Sequence, residues 1–486
     1  MWPTTVMEIL FAGGIVSLVA DLGGRASSFL KRFGAGLVGA LATLLSLAVL
    51  ASGWSSSLAG MTQLQPVTNP LASLYVVDKF TTFIAFTVLV VGLAVIGYAM
   101  RYFDSSRQGP FYALFSILMC SLVGVISAGD LLTLFLFWEA MTVSALGLVT
   151  FGRSQLSMEA GIKYFLMAGV GSLLVLYGVA AIYFTTGSIQ LQSLGGALGT
   201  NFGELGFCIL IIGLGVEAAV VPLHTWLPDV YSAAPLPTAS VVSGAVTGVG
   251  VFAIFKVVQP LVPGGIQHLG TNVAGNPSEI QIVLASLALV TMLVGNLSAL
   301  VQSNLRRILS FSSIAQTGYM LAALSTLNLP GLVAVAFTIW NHGLLKSNFF
   351  MIIGKKNSSL DASQLDRLSG AGRGDKTLGF LYASSSLAMM GSPPFGMFWS
   401  EILVVQSLLL AGQSAGAVFY VLAAAVVLNI VISIGYYFRV INTVVFGNLQ
   451  KEPENRPRAD LFPPAVLLML SVVTGVAPFL ILSHVL

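Results

Sequence analysis

The chain has 486 residues, 56% of them hydrophobic and only 8% charged, with a mean hydropathy of +0.92. A soluble globular chain carries about a quarter charged residues, so the composition excludes a soluble enzyme and predicts an all-α polytopic membrane protein. The formal net charge of +3 is too small to suggest nucleic acid as a partner.

Apolar runs recur from Val6 to Val485, and most reach the roughly 20 residues that cross a bilayer. Bounded by charges, Gly or Pro, they predict about fourteen transmembrane helices, the first centred near Gly14 and the last near Val473. The N-terminal Met1-Trp-Pro-Thr-Thr lacks the basic region of a cleavable signal, so the first run is expected to remain as a span. Cys120 and Cys208 both fall inside apolar runs, which argues against a disulfide framework or a thiolate metal site. The longest polar stretches, Lys355 to Lys376 and Asn448 to Pro463, are too short to bury a core of their own.

Lys and Arg content gives the orientation. With the N-terminus outside, the inner loops hold Arg25, Lys31 and Arg32, then Arg101 and Arg107, Arg153 and Lys163, Arg306 and Arg307, the group from Lys355 to Lys376, and the group from Arg439 to Arg458. These are 18 of the 21 basic residues, leaving only Lys79, Lys256 and Lys346. Outer stretches such as Thr185 to Glu204 and Pro260 to Glu279 contain none, so both termini are expected on the outer side. The inner loop Asp229 to Pro237 also lacks a basic residue and is read as part of a re-entrant break.

Several charges cannot be explained as loops. Glu139 has mostly apolar residues for two turns on either side, and Glu217 lies in an apolar run that Pro222 interrupts before the polar cluster His224, Trp226, Pro228 and Asp229. Proline removes a backbone hydrogen bond, and a carboxylate in hydrocarbon costs several kcal/mol, so both belong beside a hydrated or protein-filled cavity. His342 and Lys346 are four residues apart and share a helix face, which suits a proton or cation relay. Glu401 follows a second break at Pro393-Pro394. One such residue can be a paired structural charge; four in one chain point to intramembrane function. Asp130, at a span edge, reads as a cap or interface residue, and Lys256 as either a snorkelling cation or a support of the path. There is no nucleotide-binding Gly-rich loop, no Cys-x-x-Cys and no centrally placed histidine pair for haem; His268 lies in an outer loop.

The ordered motifs Trp138-Glu139, Ile162-Lys163-Tyr164-Phe165, Pro222-Leu-His-Thr-Trp-Leu-Pro-Asp229, Ser312-Ser313-Ile-Ala-Gln-Thr-Gly-Tyr319, Asn341-His342 with Lys346, and Pro393-Pro394 with Ser400-Glu401 resemble one family over nearly the full length. It is the antiporter-like, proton-translocating membrane subunits shared by respiratory complex I, Mrp-type sodium/proton antiporters and membrane-bound energy-converting hydrogenases. The resemblance implies fourteen helices with two inverted five-helix repeats and discontinuous helices near Pro222 and Pro393. It divides the chain into an N-terminal three-helix segment (1–108), repeats at 109–260 and 261–446, and a loop with the C-terminal helix at 447–486.

The resemblance also implies ion translocation by Glu139, Glu217, His342, Lys346 and Glu401, with Lys163, His224, Asp229 and Lys256 as relay or support. Two positions depart from the family pattern: Glu217 stands where lysine is usual, and Gly248 where many members carry an eighth-helix lysine; a further family histidine is Thr338 here. The first departure suggests that Glu139 and Glu217 share a proton or Na⁺. Three functions follow: a proton- or Na⁺-translocating subunit of a redox-driven complex, a subunit of an Mrp-type antiporter, or a non-conducting coupling subunit. No redox cofactor is expected in this chain, iron-sulfur and other redox centres being expected in partner subunits. The partners implied are other membrane subunits, including further antiporter-like ones, the lipid bilayer and H⁺ or Na⁺. The implied location is the cytoplasmic membrane of a prokaryote.

Overall fold

In hydrocarbon a backbone must satisfy its own polar groups, which long apolar runs achieve as helices. The computed structural model describes residues 2–22, 28–60, 74–103, 108–262, 278–354, 363–448 and 458–485. The helices are α1 (Trp2–Leu22), α2 (Ser28–Gly60), α3 (Lys79–Tyr102), α4 (Gln108–Ser127), α5 (Leu131–Val149), α6 (Gln155–Thr186), α7 (Asn201–Leu214), α8 (Trp226–Ala233), α9 (Leu236–Val241) and α10 (Thr247–Val258). They continue as α11 (Glu279–Val301), α12 (Leu305–Leu324), α13 (Leu329–Ile353), α14 (Ala371–Gly374), α15 (Lys376–Met389), α16 (Gly396–Ala415), α17 (Val418–Ile441), α18 (Phe462–Val476) and α19 (Phe479–Val485). Among the described residues, pairing of extended chain is limited to three isolated bridges.

Nine helical segments among the described residues are long and apolar enough to cross a membrane by themselves. The expected fourteen crossings are reached when α7 with α8, and α15 with α16, each count as one interrupted span, and α9 continues through a π-helical turn (Val242–Val246) into α10. Polar side chains punctuate the ends. Asp78, Ser154, Thr200, Asn304, Asn328 and Asp375 cap the helices that follow them, each accepting from a backbone N–H of the first turn. Such caps are worth about 1 kcal/mol each. Asp130 is a cap as expected, accepting from Thr133 N at 2.8 Å and Thr133 Oγ1 at 2.7 Å.

The centre is a column of helices buried on all sides. Every residue from 236 to 258 is buried, as is α13 from Gly331 to Ile353 and α12 except Arg307. The helices α1, α2, α6 and α17 instead expose apolar side chains such as Ile15, Leu41, Leu173 and Val421, a surface suited to hydrocarbon. Two sets of five spans also make the same neighbours: α4 packs on α5 as α11 on α12, α5 on α6 as α12 on α13, and α6 on α7 and α8 as α13 on α15 and α16. The chain crosses in opposite senses in the two sets, because equivalent members are five spans apart.

The reading of Asp229 to Pro237 as part of a break is corrected. The break ends at Thr225, the chain is helical to Ala233, and a turn leads into α9. Positive charge is supplied from α12: the Arg306 guanidinium donates to the carbonyls of Ser232 at 2.8 Å and Ala234 at 3.3 Å. That satisfies acceptors at the α8 C-terminus, where a cation is favoured. Expectations resting on Arg25, Arg107, Lys355, Lys356, Lys451, Arg456, His268 and most of Pro260 to Glu279 lie outside the described residues, as do the side chains of Lys31 and Arg32.

Candidate functional site

The first interrupted span places Glu217 in the gap between α7 and α8. Its side chain is fully buried. Oε1 accepts from the Tyr164 hydroxyl of α6 at 2.8 Å and from Thr142 Oγ1 of α5 at 3.1 Å, while Oε2 has no partner. The surrounding backbone is tied down by side chains rather than by a helix ladder. Trp226 Nε1 donates to Val216 O at 2.8 Å, Thr317 Oγ1 to Ala218 O at 2.9 Å, and Thr291 Oγ1 accepts from Val221 N at 3.2 Å. Gly250 of α10 lets the gap approach closely, since a Cβ there would lie 2.7 Å from Ala218 N and 2.9 Å from the Glu217 carbonyl carbon. Glu139, on α5 three residues before Thr142, is only partly buried and accepts from Ser172 Oγ of α6. The two carboxylates are not hydrogen-bonded to each other; hydroxyl residues of α5 and α6 serve each separately.

The second cluster surrounds Lys346 of α13. Its buried ammonium donates to Leu309 O at 2.8 Å, to Ser312 Oγ, and to the Tyr437 hydroxyl at 3.4 Å. All these partners are neutral. His342, one turn away, is buried with Nε2 unpartnered. Beside it, Asn341 Nδ2 donates to Ser400 Oγ of α16 at 3.1 Å. Glu401 follows Ser400 in the second half of the other interrupted span, where Gln316 of α12 faces it and its Oε1 has no partner among the described residues. Gly391 (φ +71°) lies against this carboxylate, a Cβ there falling 2.0 Å from Oε2. None of Glu217, His342, Lys346 and Glu401 forms an ion pair with a described residue.

The remaining expected residues lie at the edges. Lys163 pairs with Glu159 at 2.8 Å and with Asp229 at 2.9 Å, and Arg307 reaches Asp229 at 3.4 Å, joining α6, α8 and α12 at a partly exposed surface. His224 is half-buried where the first gap meets α8. Lys256 does not snorkel. It is buried, and its ammonium donates to Ile126 O in the last turn of α4 at 2.8 Å, where a cation complements the free carbonyls.

Thr142, Tyr164, Ser172, Ser312, Gln316 and Tyr437 were not singled out as site residues from the sequence. Tyr164, Ser312 and Gln316 do lie inside the quoted motifs, which was the available signal. A lone hydroxyl in an apolar helix carries little, because it can bond its own preceding carbonyl, as Ser121 and Thr338 do here.

The arrangement is two buried carboxylates, an amine and an imidazole, each able to exchange a proton, with neutral hydrogen-bond partners at Glu217 and Lys346 and no ion pair to a described residue at any of the four. Known proteins share the fold. The chain superimposes on a subunit of the membrane-bound sulfane sulfur reductase, an archaeal respiratory membrane complex, with TM-score 0.84 and 25% identity over 99% of this chain and 96% of the other. It superimposes on a chain of respiratory complex I from Thermus thermophilus with TM-score 0.79 and 25% identity, covering 98% of each. A chain of the Mrp complex from Dietzia sp. DQ12-45-1b gives TM-score 0.82 at 21% identity over 99% of this chain and 96% of the other. In sequence it is 33% identical over 394 residues to NADH-quinone oxidoreductase subunit N of Salinispora tropica, covering 76% of this chain and 72% of the relative. It is 32% identical over 391 residues to subunit N 1 of Sorangium cellulosum, covering 77% and 74%. Residues 128–428 match the family described as NADH:quinone oxidoreductase/Mrp antiporter, TM. The chain is an integral membrane protein and belongs to this family of antiporter-like subunits.

Proposed function

We propose that the chain translocates protons as an antiporter-like subunit of a redox-driven membrane complex of the complex I or energy-converting hydrogenase type. The observation that carries this reading is the set Glu217, His342, Lys346 and Glu401, buried among membrane-spanning helices without an ion-pair partner among the described residues. A structural charge is normally paired there, because leaving it unpaired costs several kcal/mol; ionisable groups kept in that state serve the movement of charge. The proton is favoured over Na⁺ because the central members are an amine and an imidazole, which bind H⁺ and repel or ignore a metal cation. The subunit N names of the relatives favour the complex I type. Iron-sulfur and other redox centres would reside in partner subunits, and further antiporter-like subunits would flank this one. A change in charge or packing at one end would then bias proton occupancy along the row.

The two sets of five spans support repeats at 109–260 and 261–446, after an N-terminal segment (1–108) and before a C-terminal loop and helix (447–486). The distribution of Lys and Arg supports both termini outside, in the cytoplasmic membrane of a prokaryote. Glu217 and Gly248, in place of the lysines expected at those positions, favour a second reading, in which this copy couples or seals its neighbours without conducting.

The test is electron-driven proton uptake by the assembled complex in liposomes. Lys346→Ala and Glu401→Gln are expected to abolish pumping with the complex still assembled. Undiminished pumping in both overturns the proposal in favour of the non-conducting reading. Cation-driven proton exchange with no electron donor overturns it in favour of an Mrp-type antiporter.

A further inference from the structure

The eighth span carries Gly248 where the family resemblance implies a lysine. On the helices beside Glu217 and Lys346 lies instead a cluster of hydroxyls: Tyr231 of α8, Ser243 and Thr247 of the α9–α10 span, and Ser313 of α12, all buried. The Tyr231 hydroxyl faces those of Thr247, Ser313 and Ser243 but has no direct hydrogen bond of ordinary length to any of them, and Ser313 Oγ is likewise buried and unpartnered. Thr247 and Ser243 turn their protons to carbonyls of their own helix, Thr247 to Ser243 O and Ser243 to Ser240 O, both at 3.1 Å. Their oxygens are thereby left as acceptors.

The cluster is connected at both ends. Gly250 and Thr317 touch the backbone at Glu217 and Ala218, and one helical turn away on the same helices stand Thr247 and Ser313. At the other end Ser312, adjacent to Ser313, accepts from Lys346. Tyr231 packs edge-on against Phe350, one turn beyond Lys346 on α13, with ring centroids 5.1 Å apart. The π-helical turn brings these elements together: Gly244 at its centre lies against α13, a Cβ there falling 1.9 Å from Ser347 Oγ and 2.9 Å from Gly343 O. Single π-helical turns concentrate at functional sites because they re-aim the residues beside them.

Resting on the proton-translocating reading above, we propose that Tyr231, Ser313, Thr247 and Ser243 form a water-binding hydroxyl relay that carries the proton between Glu217 and Lys346, in place of a charged residue on the eighth span. Facing buried hydroxyls without protein partners can be satisfied by water making two to four hydrogen bonds. In the transfer, the Glu217 carboxylic acid gives its proton to water. Each hydroxyl or water in turn accepts one proton and releases another, and the neutral Lys346 amine takes the last one. Glu217 ends as carboxylate and Lys346 as ammonium, with no net change at the hydroxyls.

Tyr231→Phe deletes one oxygen and keeps the ring against Phe350; Ser313→Ala deletes the other unpartnered hydroxyl, and Ser313→Thr retains it. Electron-driven proton uptake by the assembled complex in liposomes is expected to fall by about 100-fold in Tyr231→Phe and Ser313→Ala, the lower range for a lost proton-transfer group. Ser313→Thr should keep most of the uptake, and the subunit content of the purified complex should be unchanged in all three. Uptake unaffected by Tyr231→Phe and Ser313→Ala, in a complex that Lys346→Ala disables, overturns the relay alone. An equal loss in Ser313→Thr and Ser313→Ala also overturns it, by showing that packing and not the hydroxyl matters. If Lys346→Ala itself pumps normally, the translocating reading fails and the relay with it.

Discussion

The two interrupted spans hold similar carboxylates in different ways. Glu217 lies inside its gap, bonded by two hydroxyls through a single oxygen, and the gap backbone is tied to α11 and α12 in the middle of the bundle. Glu401 lies beyond its gap, in the second turn of α16, facing Gln316. That gap is fastened by α18: Ser471 Oγ accepts from Gly396 N at 3.3 Å, and Trp399 Nε1 donates to Gly475 O at 2.8 Å. One break is thus part of the central column and the other is closed by the last long helix of the chain. Equivalent position in a repeat does not impose equivalent chemistry; the helices available to cover each break decide it.

Four variants can sharpen or break that contrast. The largest effect is expected from removing both donors of Glu217 together, as Tyr164→Phe with Thr142→Val. A buried carboxylate stripped of its hydrogen bonds loses on the order of 1.5–3 kcal/mol per bond, and about 100-fold slower electron-driven proton uptake is expected. Gln316→Leu, which removes the amide facing Glu401, should cost less, about tenfold. A larger loss in Gln316→Leu than in the double variant would reverse the ranking of the two breaks. Next in size is Gly250→Ala, whose methyl would press on the backbone of Ala218 and Glu217. Overpacking of this kind costs about 1–3 kcal/mol, to be seen as a lower unfolding temperature of the detergent-solubilised complex; an unchanged temperature would mean that the gap yields. The smallest effect belongs to Asp229→Asn. Its pairs with Lys163 and Arg307 are partly exposed, so the loss should stay below about 1 kcal/mol with uptake within about twofold of the parent. A large loss of uptake would move this cluster into the conduction path.

Much of the architecture was legible because burial in a bilayer leaves a strong mark. Runs of about twenty apolar residues, interrupted at Pro222 and Pro393-Pro394, contained the span count and both breaks. Glu217, Lys346 and Glu401 stood out because charge is rare in such runs. The partners of those charges were not legible. Thr142, Ser172 and Ser312 look like any hydroxyl in a helix, and which helix they face depends on packing that no local pattern encodes. Lys256 could not be resolved between outward and inward readings, because the carbonyl it satisfies belongs to α4, 130 residues earlier. The turn after Asp229 misled for a related reason: its missing positive charge comes from Arg306 on another helix.

That last residue has a mechanical consequence. Arg306 ties α12 to the end of α8, Ser312 and the Leu309 carbonyl bind Lys346, Gln316 faces Glu401, and Thr317 holds Ala218 in the first gap. The twenty residues of α12, Leu305–Leu324, therefore reach Lys346 and Glu401 with their own groups and Glu217 through the adjoining peptide group. A slide or rotation of α12 cannot lengthen one of these bonds and leave the others alone. Events at the two breaks are thereby geared to a common shaft, and a push on either end of it is felt at both.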